Sequence, residues 1–237
     1  VIALSAVLFG YFREQKDLMN PIVHICGDSS SGKSTALMAG IATAGNPSLM
    51  VNGLAKSWKS TGNAFIGSLK GIHGVPVGRD ELSMYSGSNL SDLVYQISQG
   101  RDKERLDKDS RLMDTDPFTT VMISTGECSM LSKCSGNTGL YLRIIELKAD
   151  VSENGSWTLS ADNAEKLKKA CLTHYGKACS KLAYVISKMT EDELEVYFQK
   201  YRQMYLDNTS VSKLKDRASL TYAMFLMTAA IMNDKLD

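Results

Sequence analysis

Apolar positions follow two regimes along this chain. Up to about residue 150, short apolar runs alternate with segments of helical spacing, whereas beyond it only helical spacing recurs. Residues 1–12 (VIALSAVLFGYF) are almost wholly apolar and read as a buried helix packed on the segments next to it in the chain. The run is too short to span a bilayer and has neither the basic start nor the small-residue cleavage site of a signal peptide. Residues 21–26 (PIVHIC) form an apolar run after a proline, followed by a glycine- and serine-rich loop and a helix-prone stretch over 33–44. That order is strand, loop, helix. Further strands are expected at 48–51 (SLMV), at 74–79 (GVPVGR, interrupted by Pro76 and Gly78), at 119–124 (TTVMIS) and at 140–147 (LYLRIIEL). Between them, 89–99 (NLSDLVYQISQ) predicts a helix with Asn89 or Ser91 as N-cap and Gly100 at its end. Strands that alternate with helices imply a parallel sheet covered on both faces.

After a turn at Asn154-Gly155, Ala161, Ala164, Leu167 and Cys171 repeat at helical spacing. Thr190 and Glu193 have the spacing of a capping box that opens a helix to about Leu206, and 212–233 predicts another helix, strongly apolar after Leu220. The expected organisation is an α/β core over 1–150, with residues 1–20 forming an N-terminal helix packed on it, and a helical part over 151–237. With no initiator methionine and an end just past an apolar helix, the sequence reads as a piece of a longer protein.

Composition narrows the class without choosing a function. The chain has 237 residues, 43% hydrophobic and 22% charged, enough for a sizeable core. A net charge of +1 gives no global attraction to nucleic acid, so any such contact must come from a local patch. Five cysteines, an odd number with no CxxC pair, argue against a disulfide framework or zinc finger and for free thiols in a reducing cytoplasm. The three histidines are scattered and read as structural.

The loop Gly27-Asp28-Ser29-Ser30-Ser31-Gly32-Lys33-Ser34, followed by Thr35, matches G-x-x-x-x-G-K-[ST] at every fixed position, in the strand–loop–helix setting the motif requires. Gly27 and Gly32 let the backbone curl so that amide N–H groups point at phosphate oxygens, and the helix N-terminus adds its positive dipole end. Lys33 reaches the β- and γ-phosphates, and the Ser34 hydroxyl ligates the Mg²⁺ that bridges them. Mg-ATP is the expected ligand. Hydrolysis also needs an acid for the metal and a group to orient water. Asp80 and Glu81 are the candidates, Asp80 on Mg²⁺ and Glu81 on the water. Ser124 or Thr125, at the end of the next strand, would lie beside that pair and bond the water or the γ-phosphate.

The ordered set of the phosphate loop, Trp58 with Thr61 and Asn63, Asp80-Glu81, Gly100-Arg101-Asp102-Lys103 with Arg105, Ser124-Thr125-Gly126-Glu127, Leu142-Arg143-Ile144-Ile145, His174-Tyr175-Gly176 and Arg217-Ala218 resembles a family of helicase-like AAA+ ATPases. These are carried by phage, plasmid and cassette-type mobile elements, often joined to a primase, and are similar to the minichromosome-maintenance and superfamily-three helicases. The resemblance spans nearly the whole chain. It implies a P-loop AAA+ three-layer α/β core with a smaller helical C-terminal part, and a homo-oligomeric ring, a hexamer. It makes Arg143 a finger that reaches a neighbour's γ-phosphate and Arg217 a nucleotide-sensing lid arginine. It also implies that residues 101–111 (RDKERLDKDSR) project into a central pore, where Lys103, Arg105, Lys108 and Arg111 would contact backbone phosphates of single-stranded or forked DNA. The strand before Asp80 departs from the pattern by carrying Gly78 and Arg79. Tyr197, Tyr201 and Tyr205 recur every four residues, a spacing that favours packing over base stacking.

The function expected from this reading is ATP hydrolysis coupled to translocation or unwinding of nucleic acid in a mobile-element replication protein. The alternative is a nucleotide-dependent regulatory AAA+ switch acting on protein partners. A small-molecule kinase fits less well, because no cluster of lid arginines is visible.

Overall fold

The computed structural model describes residues 1–50, 52–102, 116–149, 160–210 and 212–236. In chain order the elements are α1 (Ala6–Lys16), β1 (Ile22–Cys26), α2 (Lys33–Ala42), β2 (Ala55–Ser57), α3 (Gly62–Gly67), β3 (Val77–Asp80), α4 (Leu90–Gln99), β4 (Met122–Gly126), α5 (Met130–Lys133), β5 (Ile144–Lys148), α6 (Ala161–Thr173), α7 (Lys177–Ile186), α8 (Glu191–Asn208) and α9 (Lys215–Lys235). The five strands form one parallel sheet in the order β2-β3-β4-β1-β5. The α/β class and the helical C-terminal part are as the sequence predicts.

Side chains alternate across the strands, and this sorts the core into layers. On one face Ile25 and Ile123 pack against Leu37 and Ile41 of α2 and Ala55 of β2. Val23 and Val121, on the same face, meet α1 and the C-terminal helices in a cluster with Leu8, Phe9, Phe12, Leu182, Phe198, Met224 and Met227. The opposite face carries Ile22, Val77, Met122 and Ile144, covered by Phe65 and Ile66 of α3 and Leu93, Val94 and Ile97 of α4. α1 thus joins the sheet to the C-terminal helices: Phe9 packs on Phe225 (6.1 Å between ring centroids), Phe12 stacks on Phe198 (6.2 Å), and Lys16 pairs with Glu195.

Several ends are set by local chemistry. Asn89 caps α4 by accepting the Asp92 N–H at 2.9 Å, and Gly100 ends the helix at φ +70°, a conformation that favours glycine. Thr190 and Glu193 form the expected capping box of α8. α7 has no counterpart among the sequence-based expectations, although Cys179, Leu182 and Ile186 are its buried positions at helical spacing.

The strand expected at 48–51 is absent over its described positions, and the edge strand falls at Ala55–Ser57 instead. Asn46 Oδ1 accepts the Ser48 N–H at 3.0 Å, Ser48 Oγ accepts the Met50 N–H at 3.2 Å, and Leu54 N–H closes the loop onto the Asn46 carbonyl at 2.9 Å. These local bonds compete with strand pairing, and Met50 is left 90% exposed. The strand expected at 140–147 begins only at Ile144, because Thr138–Leu142 winds into a 3₁₀ turn that buries Leu140 and Leu142. Tyr205 stacks on Tyr222 (4.7 Å) and Tyr197 on Tyr201 (6.4 Å), so the tyrosine stripe serves packing.

Gly78, an anomaly in the sequence, follows from close approach of α2. A Cβ there would meet Ile41 Cγ1 and Leu37 Cδ2 at 3.0 Å and Ala55 Cβ at 3.1 Å. Gly78→Val should therefore cost about 1–3 kcal/mol of stability through overpacking, read as a lower urea midpoint with unchanged slope.

Candidate functional site

β1 ends in the loop that turns into α2. Gly27 has room for no side chain, since a Cβ would lie 2.8 Å from the Ala149 carbonyl oxygen, and Gly32 takes φ +85° as N-cap of α2. Asp28, Ser29 and Ser30 form the exposed outer rim of the loop, whereas Ser31, Lys33 and Thr35 are buried. Lys33 Nζ is held inside the loop, donating to the Gly27 carbonyl at 2.8 Å, the Asp28 carbonyl at 2.5 Å and Ser31 Oγ at 3.3 Å. Among the described residues no carboxylate pairs with it. Its charge therefore stays available to an anion at the α2 N-terminus, where the dipole also favours one.

Asp80 closes the site from β3. Its Oδ1 accepts the Ser34 hydroxyl at 2.9 Å and the Thr125 hydroxyl at 2.6 Å. Three segments distant in sequence thus converge on one carboxylate at the C-terminal ends of β1, β3 and β4. A carboxylate beside a hydroxyl is the hard-oxygen set suited to Mg²⁺, which keeps several waters and takes its other ligands from phosphates. Among the described residues no cluster of three His, Cys, Asp or Glu could hold a metal by itself, and such a Mg²⁺ site needs none.

Glu81 follows Asp80 in the left-handed region at φ 63°, an uncommon place for a residue other than glycine. Hydrogen bonds of its backbone and its side chain hold it there. Its N–H donates to Thr125 Oγ1 at 3.1 Å, and its Oε1 accepts the Ser83 hydroxyl at 2.7 Å. Thr125 thereby links both acidic residues.

Of the two alternatives on β4, only Thr125 lies beside the acidic pair. Ser124 points to the other face and is fully buried. Its Oγ accepts the Trp58 Nε1–H at 3.0 Å and lies 2.9 Å from His24 Nδ1, while His24 Nε2 lies 2.9 Å from the Cys128 carbonyl oxygen. A carbonyl only accepts, so His24 carries its proton on Nε2 and Nδ1 accepts from Ser124. The result is a directed chain from Trp58 through Ser124 and His24 to Cys128. Arg79 occupies the same face, where its guanidinium covers the Phe65 ring (4.3 Å) and donates to Ser68 Oγ at 2.7 Å and the Gly78 carbonyl at 3.1 Å. Burial lowers its pKa to about 10. Neither the chain nor this arginine is legible as a motif. The only signal is their even spacing opposite the site residues.

Arg143 lies at the other end of the sheet. Its carbonyl accepts the N–H of Ile22, the first residue of β1, so the length of that strand, roughly 13 Å, separates it from the loop of its own chain. Its guanidinium covers the Tyr95 ring (4.5 Å) and donates to the Gly139 carbonyl at 2.6 Å, while its buried Nε has no hydrogen-bond partner among the described residues. Desolvation is the main cause of its lowered pKa, and the positive charge of Arg217 lowers it further. Arg217, in the first turn of α9, is therefore near Arg143. Lys103, Arg105, Lys108 and Arg111 fall outside the described residues.

None of the five cysteines is in a disulfide, and no helix among the described residues is long and apolar enough to cross a membrane.

Two outcomes test this buried network. Ser124→Ala leaves the Trp58 donor unpaired and should cost about 1–3 kcal/mol in urea unfolding. Burial holds the pKa of His24 below its usual value, the largest influence on it. The unfolded chain then binds the extra proton, so stability contributed by neutral His24 is complete above about pH 6.5 and is lost as pH falls below that. His24→Gln should flatten this part of the stability–pH curve.

Residues 1–114 match a family described as a domain of unknown function, DUF927. No curated protein matches the chain. Among solved structures, one described as the active helicase Cch of SCCmec type IV matches with 26% identity and a TM-score of 0.77, covering 100% of this chain and 43% of that one. The chain thus spans less than half the length of that helicase. A second, the apo A form of the NrS-1 C-terminal region, matches with 10% identity and a TM-score of 0.38 over 98% of this chain and 62% of that one, too distant to carry a functional inference. Over its whole length the chain is similar to a helicase of a mobile cassette, in line with the resemblance carried by its sequence motifs.

Proposed function

We propose that this chain is the ATPase module of a mobile-element replication helicase, binding Mg-ATP between the 27–34 loop and Asp80 and coupling hydrolysis to movement along nucleic acid. The observation that carries the reading is the convergence of Ser34 and Thr125 on Asp80 directly beneath the phosphate loop.

The backbone amides of residues 27–32 and the α2 dipole receive the β-phosphate, and Lys33 exchanges its loop carbonyls for phosphate oxygens. Ser34 would ligate Mg²⁺ and Asp80 would hold it through water; the ion would supply charge neutralisation across the phosphates. Glu81 orients the attacking water. To do so its carboxylate must leave Ser83, a rotation of one half-buried side chain. Thr125 holds the Glu81 backbone and Asp80 in register, giving its one hydroxyl proton to Asp80.

Arg143 serves a neighbouring subunit. Placed at the far end of the sheet from its own loop, it complements a γ-phosphate only across an interface, where a guanidinium stabilises charge developing in the transition state. The charge of Arg217 acts on Arg143, so its role shifts from sensing the nucleotide of its own chain to sharing this interface. Two arginines together without a described carboxylate suit a surface that meets phosphate. A closed ring, a hexamer, supplies that geometry, and single-stranded or forked DNA is the proposed track.

The test is ATP turnover and particle mass, each with and without single-stranded DNA and nucleotide. The wild type should assemble with nucleotide and hydrolyse faster with DNA. Lys33→Ala should lose binding or turnover, whereas Glu81→Gln should bind ATP normally and turn over at least about 100-fold more slowly, the usual scale for a positioned acid–base group. Normal hydrolysis by Glu81→Gln would overturn the assignment of the acidic pair. Mixing Lys33→Ala with Arg143→Ala should restore part of the activity that each variant lacks alone, and no recovery at any ratio would contradict a site shared between subunits.

A further inference from the structure

A cavity of about 510 Å³ under α1 and α7 is mostly apolar, and nothing among the described residues indicates an occupant. A second cavity, of about 450 Å³, differs in chemistry. It lies between the C-terminal half of α1, the end of α4 and the chain entering β4, at the end of the sheet opposite the phosphate loop. Tyr11, Arg13, His73, Gln99, Arg101 and Phe118 are in its walls.

The local backbone is arranged to bring these groups together. Gly100 takes φ +70° and lies so close to its neighbours that a Cβ would meet the Phe118 carbonyl oxygen at 2.4 Å and Arg13 Nη2 at 2.7 Å. This turn brings the backbone leading into Arg101 up to Arg13, close enough for the two charges to act on each other. Gly10 lets α1 touch the 73–74 backbone, since a Cβ there would lie 2.7 Å from Gly74 Cα, and this brings Tyr11 beside His73.

Arg13 is fixed by neutral acceptors. Nη1 donates to Asn20 Oδ1 at 2.9 Å and Nη2 to the Gln99 carbonyl at 2.5 Å. Asn20 is itself fully buried and braced by the Thr120 N–H and by the carbonyls of Ile97 and Phe118. The guanidinium is thus held in one orientation without being neutralised. Among the described residues no carboxylate ion-pairs with Arg13 or Arg101, and Asp102 turns instead to Lys70 at 3.7 Å. Glu14 is also in the wall, and the nearby Asp17 moderates the charge of Arg13 without a direct ion pair among the described residues. Burial lowers the pKa of Arg13, Asp17 opposes that, and the charge of Arg101 lowers it further, as expected of two like charges kept close.

Paired cations with fixed donors recognise a phosphate, and an adjacent tyrosine offers a face for a base. Tyr11 remains 38% exposed beside them. Arg101 lies two residues before the segment 103–115, and Pro117 two residues after it, so the cavity lies where the chain enters and leaves the stretch whose lysines and arginines read in the sequence as a nucleic-acid contact. We propose that this cavity is a docking subsite for a phosphodiester of single-stranded nucleic acid, gripped by Arg13 and Arg101 and flanked by Tyr11. The inference rests on the nucleic-acid reading of the function. It adds residues on α1 and at the end of α4 that no motif marks.

Fluorescence anisotropy with a labelled oligothymidylate, over a salt series and with Mg-ATP absent, tests it. Arg101→Gln, an exposed position, should weaken binding about fivefold at 0.1 M salt and reduce the log–log salt slope by about 0.7, the effect of one single-strand phosphate contact. Arg101→Lys should recover most of the slope, Tyr11→Leu should weaken binding without changing it, and ATP binding should be unaffected in all three. Arg13→Gln should lower affinity further, with a melting temperature check on its fold. Unchanged affinity and slope in both Arg101→Gln and Tyr11→Leu, in a protein that binds the oligonucleotide, would overturn the subsite and leave the helicase reading intact. A wild type that binds ATP but no oligonucleotide would remove both. Equal competition by free inorganic phosphate at millimolar concentration would show a small-anion site instead of a strand site.

Discussion

The Asp80 carboxylate is the point where the sheet, the phosphate loop and the strand ends must agree. One of its oxygens accepts from Ser34 on α2 and from Thr125 on β4, while its own strand supplies the backbone that places it. Parallel pairing sets these heights: Arg79 is in register with Ser124, so Asp80 and Thr125 come next at the same level, over the start of α2. Strand alternation then decides the rest. Gly78, Asp80, Ile123 and Thr125 face α2, whereas Arg79, Ser124 and His24 face α3 and α4. One sheet carries a wet, anion-seeking edge on one face and a dry hydrogen-bonded brace on the other.

That brace explains how charged and polar groups survive inside the core. Burying an unpaired polar group costs free energy, so Trp58, Ser124, His24 and the Cys128 carbonyl are joined donor to acceptor, and Arg79 is covered by Phe65 and bonded to Ser68. The brace pins β1, β4 and the segment after β2 from below while the loop above them stays open to an anion.

Much of this was legible in the sequence where chemistry is local. The glycine spacing of the 27–34 loop, the Asn89 cap, the Gly100 stop and the Thr190–Glu193 box each encode their own geometry within a few residues. The alternation of strands and helices gave the α/β class. What depends on contacts between distant segments was not legible. SLMV has the composition of a strand but lies in a loop held by Asn46 and Ser48, and only register on β3 separates Thr125 from Ser124. Gly78 and Arg79 looked like departures from a motif until α2 and Phe65 were placed over them. Arg143 and Arg217 are 74 positions apart in the sequence and come within electrostatic range only in the fold.

The far end of the sheet completes the picture. Arg143 with Arg217, and separately Arg13 with Arg101, place cations about one strand length from the phosphate loop, so this fold presents anion-seeking groups at both ends of its sheet. Guanidinia remote from the proposed nucleotide site suit the proposed assembly of copies of the chain along a polyanion.

The most direct test of the central claim is calorimetric titration of ATP, with and without Mg²⁺, into the wild type and Asp80→Asn. If Asp80 and Ser34 are the protein side of a Mg-ATP site, adding Mg²⁺ strengthens ATP binding to the wild type, and Asp80→Asn loses that increment while keeping its metal-free affinity. An Asp80→Asn protein whose ATP affinity responds to Mg²⁺ as the wild type's does would contradict the account.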